Sequence, residues 1–94
     1  MAEMISQLLA TDAARTKLGA RNISTAEAEQ LPRNRHATIR NPRAGGEEGD
    51  RLLLIGETDG GRTLTLVLER TVDPTSWLVV TGWEATERER RILD

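Results

Sequence analysis

The sequence predicts an α+β domain of order α-α-β-β-β-β-α, with two N-terminal helices, an antiparallel four-stranded sheet and a short C-terminal helix, the helices all on one face of the sheet. Three observations predict it. Most of the large apolar residues fall between Arg51 and Trp83, in runs of strand length separated by turn signals. Two Ser/Thr-x-x-Glu spacings, at Ser24 and Thr86, bracket that region and mark helix starts. Finally, residues 4–18 consist of good helix formers with Met4, Ile5, Leu8, Leu9 and Leu18 near helical spacing, so the chain opens on an amphipathic helix that Gly19 stops.

A second helix follows the Ser24 capping box over residues 25–31, because Pro32 cannot continue it. His36-Ala37-Thr38-Ile39-Arg40 alternates and reads as a first strand, with Ala37 and Ile39 toward the core and His36, Thr38 and Arg40 the other way. Asn41-Pro42 closes it, and the glycines and acids of residues 44–49 form a polar link. Arg51 to Gly56 is the next strand, and Asp59-Gly60-Gly61 is a hairpin signal. Residues 63–69 place Leu64, Leu66 and Leu68 on a dry side and Thr63, Thr65, Val67 and Glu69 on a wetter one. Asp73-Pro74 breaks the pattern before Trp77 to Trp83 resumes it with residues suited to a pleated surface. After Glu84, acids lead and arginines close the last helix, as the helix dipole favours, with Ala85, Ile92 and Leu93 as its apolar contacts.

Ninety-four residues make one small domain, residues 1–94. Cysteine is absent, which removes disulfides and thiolate metal sites and agrees with a reducing cytoplasm. Neither a secretion signal nor a membrane span is expected, and no cofactor or metal is expected, since one histidine and no histidine-pair or EF-hand spacing is present. Net charge is −2, which argues against coating nucleic acid through bulk charge. Its distribution is uneven: residues 31–46 hold four arginines and the only histidine with no acid, whereas residues 47–94 hold eleven acids against six bases.

What remains for chemistry is a sheet face. If His36, Arg40, Arg51, Glu69 and Trp83 share the side away from the helices, that side has an acid or base, guanidinium groups for phosphate, a carboxylate and a stacking aromatic. Those are the parts of a metal-independent RNA-cutting site, with Arg33, Arg35, Arg43 and Trp83 as RNA contacts. Each residue also fits a plainer role: His36 as a solvated strand residue, Trp83 as a core or partner contact, Arg51 and Glu69 as a cross-strand pair contributing ~0.5 kcal/mol.

Three stretches carry a family likeness: Arg51-Leu52-Leu53-Leu54-Ile55-Gly56, Gly61 to Val67, and Val79-Val80-Thr81-Gly82-Trp83-Glu84-Ala85-Thr86 running into the Glu- and Arg-rich end. Together with Lys17-Leu18-Gly19 ahead of Ile23-Ser24-Thr25-Ala26-Glu27-Ala28, the chain resembles the BrnT-type toxins of the RelE-like ribonuclease superfamily over roughly residues 15–93. Trp83 stands where that family carries a junction arginine, and Leu18 where it carries a histidine. The resemblance implies a RelE-like fold and a cognate antitoxin. Two functions follow as expectations: a toxin component of a type II toxin-antitoxin system that cuts RNA through attack of the ribose 2′-hydroxyl, with His36 or Glu69 moving protons, or a non-catalytic protein-interaction module of the same fold. The sequence leaves catalysis and oligomeric state open.

Overall fold

The computed structural model describes residues 5–40 and 51–94. In chain order these form β1 (Gln7–Ala10), α1 (Asp12–Gly19), α2 (Thr25–Gln30), a single 3-10 turn (Leu31–Arg33), β2 (His36–Arg40), β3 (Arg51–Glu57), β4 (Thr63–Arg70), β5 (Ser76–Glu84) and α3 (Glu87–Leu93). The class is α+β, but the sheet is five-stranded and mixed, in the order β1-β5-β4-β3-β2. The expected four-stranded antiparallel sheet is therefore corrected by one strand: β2 to β5 are antiparallel neighbours, and β1 joins β5 in parallel.

That extra strand replaces the first half of the expected N-terminal helix. The helix begins only at Asp12, because Thr11 caps it with Oγ1 accepting from the Ala14 N–H at 3.1 Å. Upstream of the cap, β5 has an edge whose backbone groups need partners, and residues 7–10 supply them in register with Ser76 to Val79. Leu8 is thereby set opposite Trp77 and both are buried, so tertiary pairing overrides the helical spacing of the same apolar residues. The turn from α1 into α2 passes through Asn22 in the left-handed region, φ 59°, which asparagine tolerates better than most residues. Ser24 and Glu27 then make both bonds of their capping box.

Two layers cover the sheet. On one face Leu18 of α1, Ile23, Ala28 of α2 and Leu31 pack on Leu52, Leu54, Leu64, Leu66, Leu68, Trp77 and Val79, forming the principal core. Approach is close enough that a side chain at Gly56 would strike Leu31, and one at Gly82 would strike Leu66 and Leu18. On the other face α3 lies across β3 and β2, tied to Thr65 and Trp83 through Glu89. The helices are thus divided between the faces, a departure from the expectation that all lie on one. This also explains why β4 has no wet side: Thr65 is 0% exposed and Val67 7%, as dry as the leucines between them.

A β-bulge where Val67 and Leu68 meet β5 decides which way the two tryptophans point. Leu68 pairs with Val79 and Val67 with Thr81, so Val80 is the extra residue. Strict alternation would put Trp77 and Trp83 on one face. The inserted residue sends Trp77 into the principal core and Trp83, paired with Thr65, to the α3 side.

Candidate functional site

Register assigns every described site candidate to a face. His36 lies opposite Gly56, Thr38 opposite Leu54 and Arg40 opposite Leu52, which puts these three on the face that packs α1 and α2. Ala37 and Ile39, opposite Ile55 and Leu53, are half-buried on the α3 side. The expected alternation is correct, but its sides are exchanged relative to the helices. Arg51 and Glu69 stand directly opposite one another on the α3 side, in register with Leu53–Val67 and Ile55–Thr65 further along. The candidates therefore form two groups with the sheet between them: His36 and Arg40 on one side, Arg51, Glu69 and Trp83 on the other.

His36 is exposed, and its Nδ1 lies 2.8 Å from the Asn34 carbonyl, so that nitrogen is the protonated one. The bond orients the ring along the strand start rather than toward a carboxylate. Arg33 is exposed in the 3-10 turn, and Arg40 is exposed at the far end of β2. Arg35 is held elsewhere: its guanidinium donates to the Leu93 carbonyl at the C-terminus of α3 and pairs with Asp94 at 3.6 Å. Arg43 lies outside the described residues.

The best-organised polar cluster was not among the expected catalytic residues. Glu89 Oε1 accepts from the Thr65 hydroxyl at 2.9 Å, the Trp83 indole N–H at 3.0 Å and the Thr86 backbone N–H at 2.8 Å. Burial pushes the Glu89 pKa up, and the donors on Thr86, Trp83 and Thr65 outweigh it, so the carboxyl sits below the ordinary value. A carboxylate held ionised by three donors cannot act as an acid at neutral pH, and those three bonds converge on its Oε1. Arg21 adds a cation beside this cluster. Among the described residues β1 pairs with β5 only as far as Val79, and along the later edge Arg21 Nη1 donates to the Gly82 carbonyl at 2.9 Å with its guanidinium carbon 6.0 Å from the Trp83 ring centre. The Thr86-x-x-Glu89 spacing reveals the capping role of Glu89 in sequence; its bonds to Thr65 and Trp83 require the bulge and the docking of α3.

A second cluster is structural. Arg62, leaving the β3–β4 hairpin, donates to the Asn22 carbonyl and to Glu27 at 2.9 Å, and approaches Glu84 at 3.7 Å; Glu84 also pairs with Arg90. α2, the hairpin, the end of β5 and α3 are thereby linked. The Glu27 pKa is lowered, first by the Ser24 backbone N–H and then by Arg62. Among the described residues no group of three or more His, Asp or Glu side chains could hold a metal ion, and no helix is long and apolar enough to cross a membrane. Two surface clefts, one at Ile5, Gln7, Glu29 and Arg33 and one at Asn34, Arg35, Glu57 and Asp59, do not bring the proton-transfer candidates together.

Compared with protein families, curated proteins and solved structures, the chain matches none. Function therefore rests on its own residues.

Proposed function

We propose that this chain is a non-catalytic, BrnT-like protein-interaction module that works in the cytoplasm with a cognate protein partner of the antitoxin kind. One observation supports this over the endoribonuclease reading: the expected catalytic residues lie on opposite faces of the sheet, His36 and Arg40 on one and Arg51 and Glu69 on the other. Transfer of a ribose 2′-hydroxyl to its phosphate needs the base, the acid and the charge-stabilising group within hydrogen-bond reach of one scissile centre. Groups separated by a packed sheet do not converge in that way. The residues that are well organised, Glu89, Thr65 and Trp83, spend their hydrogen bonds on one another and fix α3 to the sheet.

The ribonuclease toxin is the second reading, supported by the half-exposed Trp83 with Arg21 beside it, a pair able to stack on a base and contact a phosphate. One experiment decides between them. Purified protein incubated with end-labelled single-stranded RNA should cleave no faster than a protein-free control, and co-expression with the product of the neighbouring reading frame should give a stoichiometric complex. RNA cleavage lost in both His36→Ala and Glu69→Gln, with growth arrest relieved by the neighbouring protein, would replace the module reading by the toxin one.

A further inference from the structure

Among the described residues β2 forms one edge of the sheet, and its register shows which of its backbone groups face away from β3. The Glu57 N–H donates to the Arg35 carbonyl at 3.1 Å, and Arg35 precedes the His36–Gly56 pair. In an antiparallel ladder the residues that exchange hydrogen bonds with the neighbour alternate with residues that do not. Arg35, Ala37 and Ile39 therefore turn their N–H and C=O groups toward β3, while His36, Thr38 and Arg40 turn theirs outward. The β3–β4 ladder agrees: Thr58 N–H donates to Arg62, so Gly56, Leu54 and Leu52 face β4.

Side chains along this edge are sorted as well. On the face shared with α2 the strand carries exposed His36 and Arg40 about Thr38, with exposed Arg33 on the adjoining turn; on the α3 side it carries half-buried Ala37 and Ile39. No acid occurs between Leu31 and Arg40. The nearby acids at the strand's start are engaged, Asp59 accepting from Asn34 and Asp94 pairing with Arg35, and at the other end of the strand Arg40 is exposed.

We propose that the β2 edge is a docking site for an extended acidic segment of a partner protein, one that adds a sixth strand by bonding to the outward groups of His36, Thr38 and Arg40. Its side chains alternate in kind: acidic residues run on the cationic side against Arg40, and apolar residues on the other side against Ala37 and Ile39. Main-chain bonds supply affinity, and the alternation of charge and apolar contact fixes the register. This inference rests on the protein-interaction reading and names its surface.

The test uses the full chain and three fluorescein-labelled probes followed by anisotropy: a decapeptide alternating glutamate with valine, the same peptide with lysine for glutamate, and a ten-nucleotide oligouridine. The glutamate peptide should bind saturably and weaken on raising salt from about 50 to 300 mM, and the lysine peptide should not bind. Thr38→Pro removes an outward N–H that the ladder does not use, which an edge strand tolerates, so the variant should melt within about 5 °C of the wild type yet bind the glutamate peptide at least about tenfold more weakly. Arg40→Glu, which leaves the backbone intact, should weaken it by a similar factor. Any of four results overturns the proposal: no binding of the glutamate peptide, equal binding of the lysine peptide, undiminished binding by both variants, or unfolding of Thr38→Pro, which would contradict the register. Tighter binding of oligouridine that Thr38→Pro leaves unchanged assigns the arginines to nucleic acid instead. If the neighbouring protein still co-purifies with Thr38→Pro at full yield, the module reading stands and only this surface falls.

Discussion

Replacing Glu89 tests how the short C-terminal helix is held. α3 spans only Glu87–Leu93 and contributes no fully buried residue, so its packing alone is weak. Glu89→Ala removes the acceptor of the Thr65 hydroxyl, whose residue is 0% exposed, together with that of the Trp83 indole and the Thr86 N–H. An unsatisfied buried donor costs ~1–3 kcal/mol, whereas water can replace the bonds at half-buried Trp83 and exposed Thr86. Discounting for that exposure, the loss is ~2 kcal/mol, and at ~4–8 °C per kcal/mol for a domain of this size the melting temperature should fall by ~10 °C. Glu89→Gln keeps a carbonyl acceptor but not the charge, and should lose about half as much.

The pH dependence follows from the sign of the shift. The folded pKa of Glu89 is lower than the ordinary 4.5, so its stabilisation is complete above that value and is lost as pH falls through the folded pKa. Glu27 and Asp73 are lowered too, so wild type and variant both weaken in acid. The difference between wild type and Glu89→Gln isolates Glu89, should begin to narrow below the ordinary value and should close as pH passes the lowered folded pKa. Thermal unfolding followed by circular dichroism over a pH series measures it. A Glu89→Ala protein that melts within about 2 °C of wild type at neutral pH, or a wild-type to Gln gap that does not narrow at all as pH falls below the ordinary value, refutes the reasoning.

Gly82→Ala should be destabilising by ~1–3 kcal/mol in urea unfolding, because the added carbon would lie 2.6 Å from Leu66 Cδ2, 3.0 Å from the Thr65 carbonyl and 3.1 Å from Leu18 Cδ2; an unchanged midpoint would show that the helix layer yields freely. Arg62→Ala should cost ~1 kcal/mol, since its ion pair with Glu27 is about two-thirds shielded, at 32% and 27% side-chain exposure, and the loss should shrink in high salt. A salt-independent loss would assign the effect of Arg62 to its bond with the Asn22 carbonyl.

The parts of this fold that were legible in the sequence are those written in local chemistry. Both capping boxes form both of their bonds, and the strands from Arg51 to Glu84 follow their alternating runs and turns. The N-terminal strand was not legible, because Ile5, Leu8 and Leu9 satisfy a helical spacing equally well and the deciding partner, the edge of β5, lies some seventy residues away, at Ser76 to Val79. The Thr11 cap was the one local sign that the helix starts late. The apolar contacts expected of α3 divide: Ala85, just ahead of the helix, is buried at 5% exposure, while Ile92 in its last turn remains 41% exposed because the helix crosses the sheet with Glu89 rather than its last turn inward.

The candidate site divides for a related reason. Period-two reading assigns residues of one strand to two faces but does not relate the faces of different strands; that takes register, and a bulge changes it partway along β5. Trp83 falls on the α3 side with Arg51 and Glu69, so three of the five expected face residues do share a side, while β2 pairs so as to set His36 and Arg40 on the other. The same register that separates His36 from Glu69 turns the backbone of His36, Thr38 and Arg40 outward from the sheet. One pairing thus both disperses the elements of a cleavage site and leaves a cationic strand edge, which is why the structure is read as a surface for partner binding rather than as a centre for RNA chemistry.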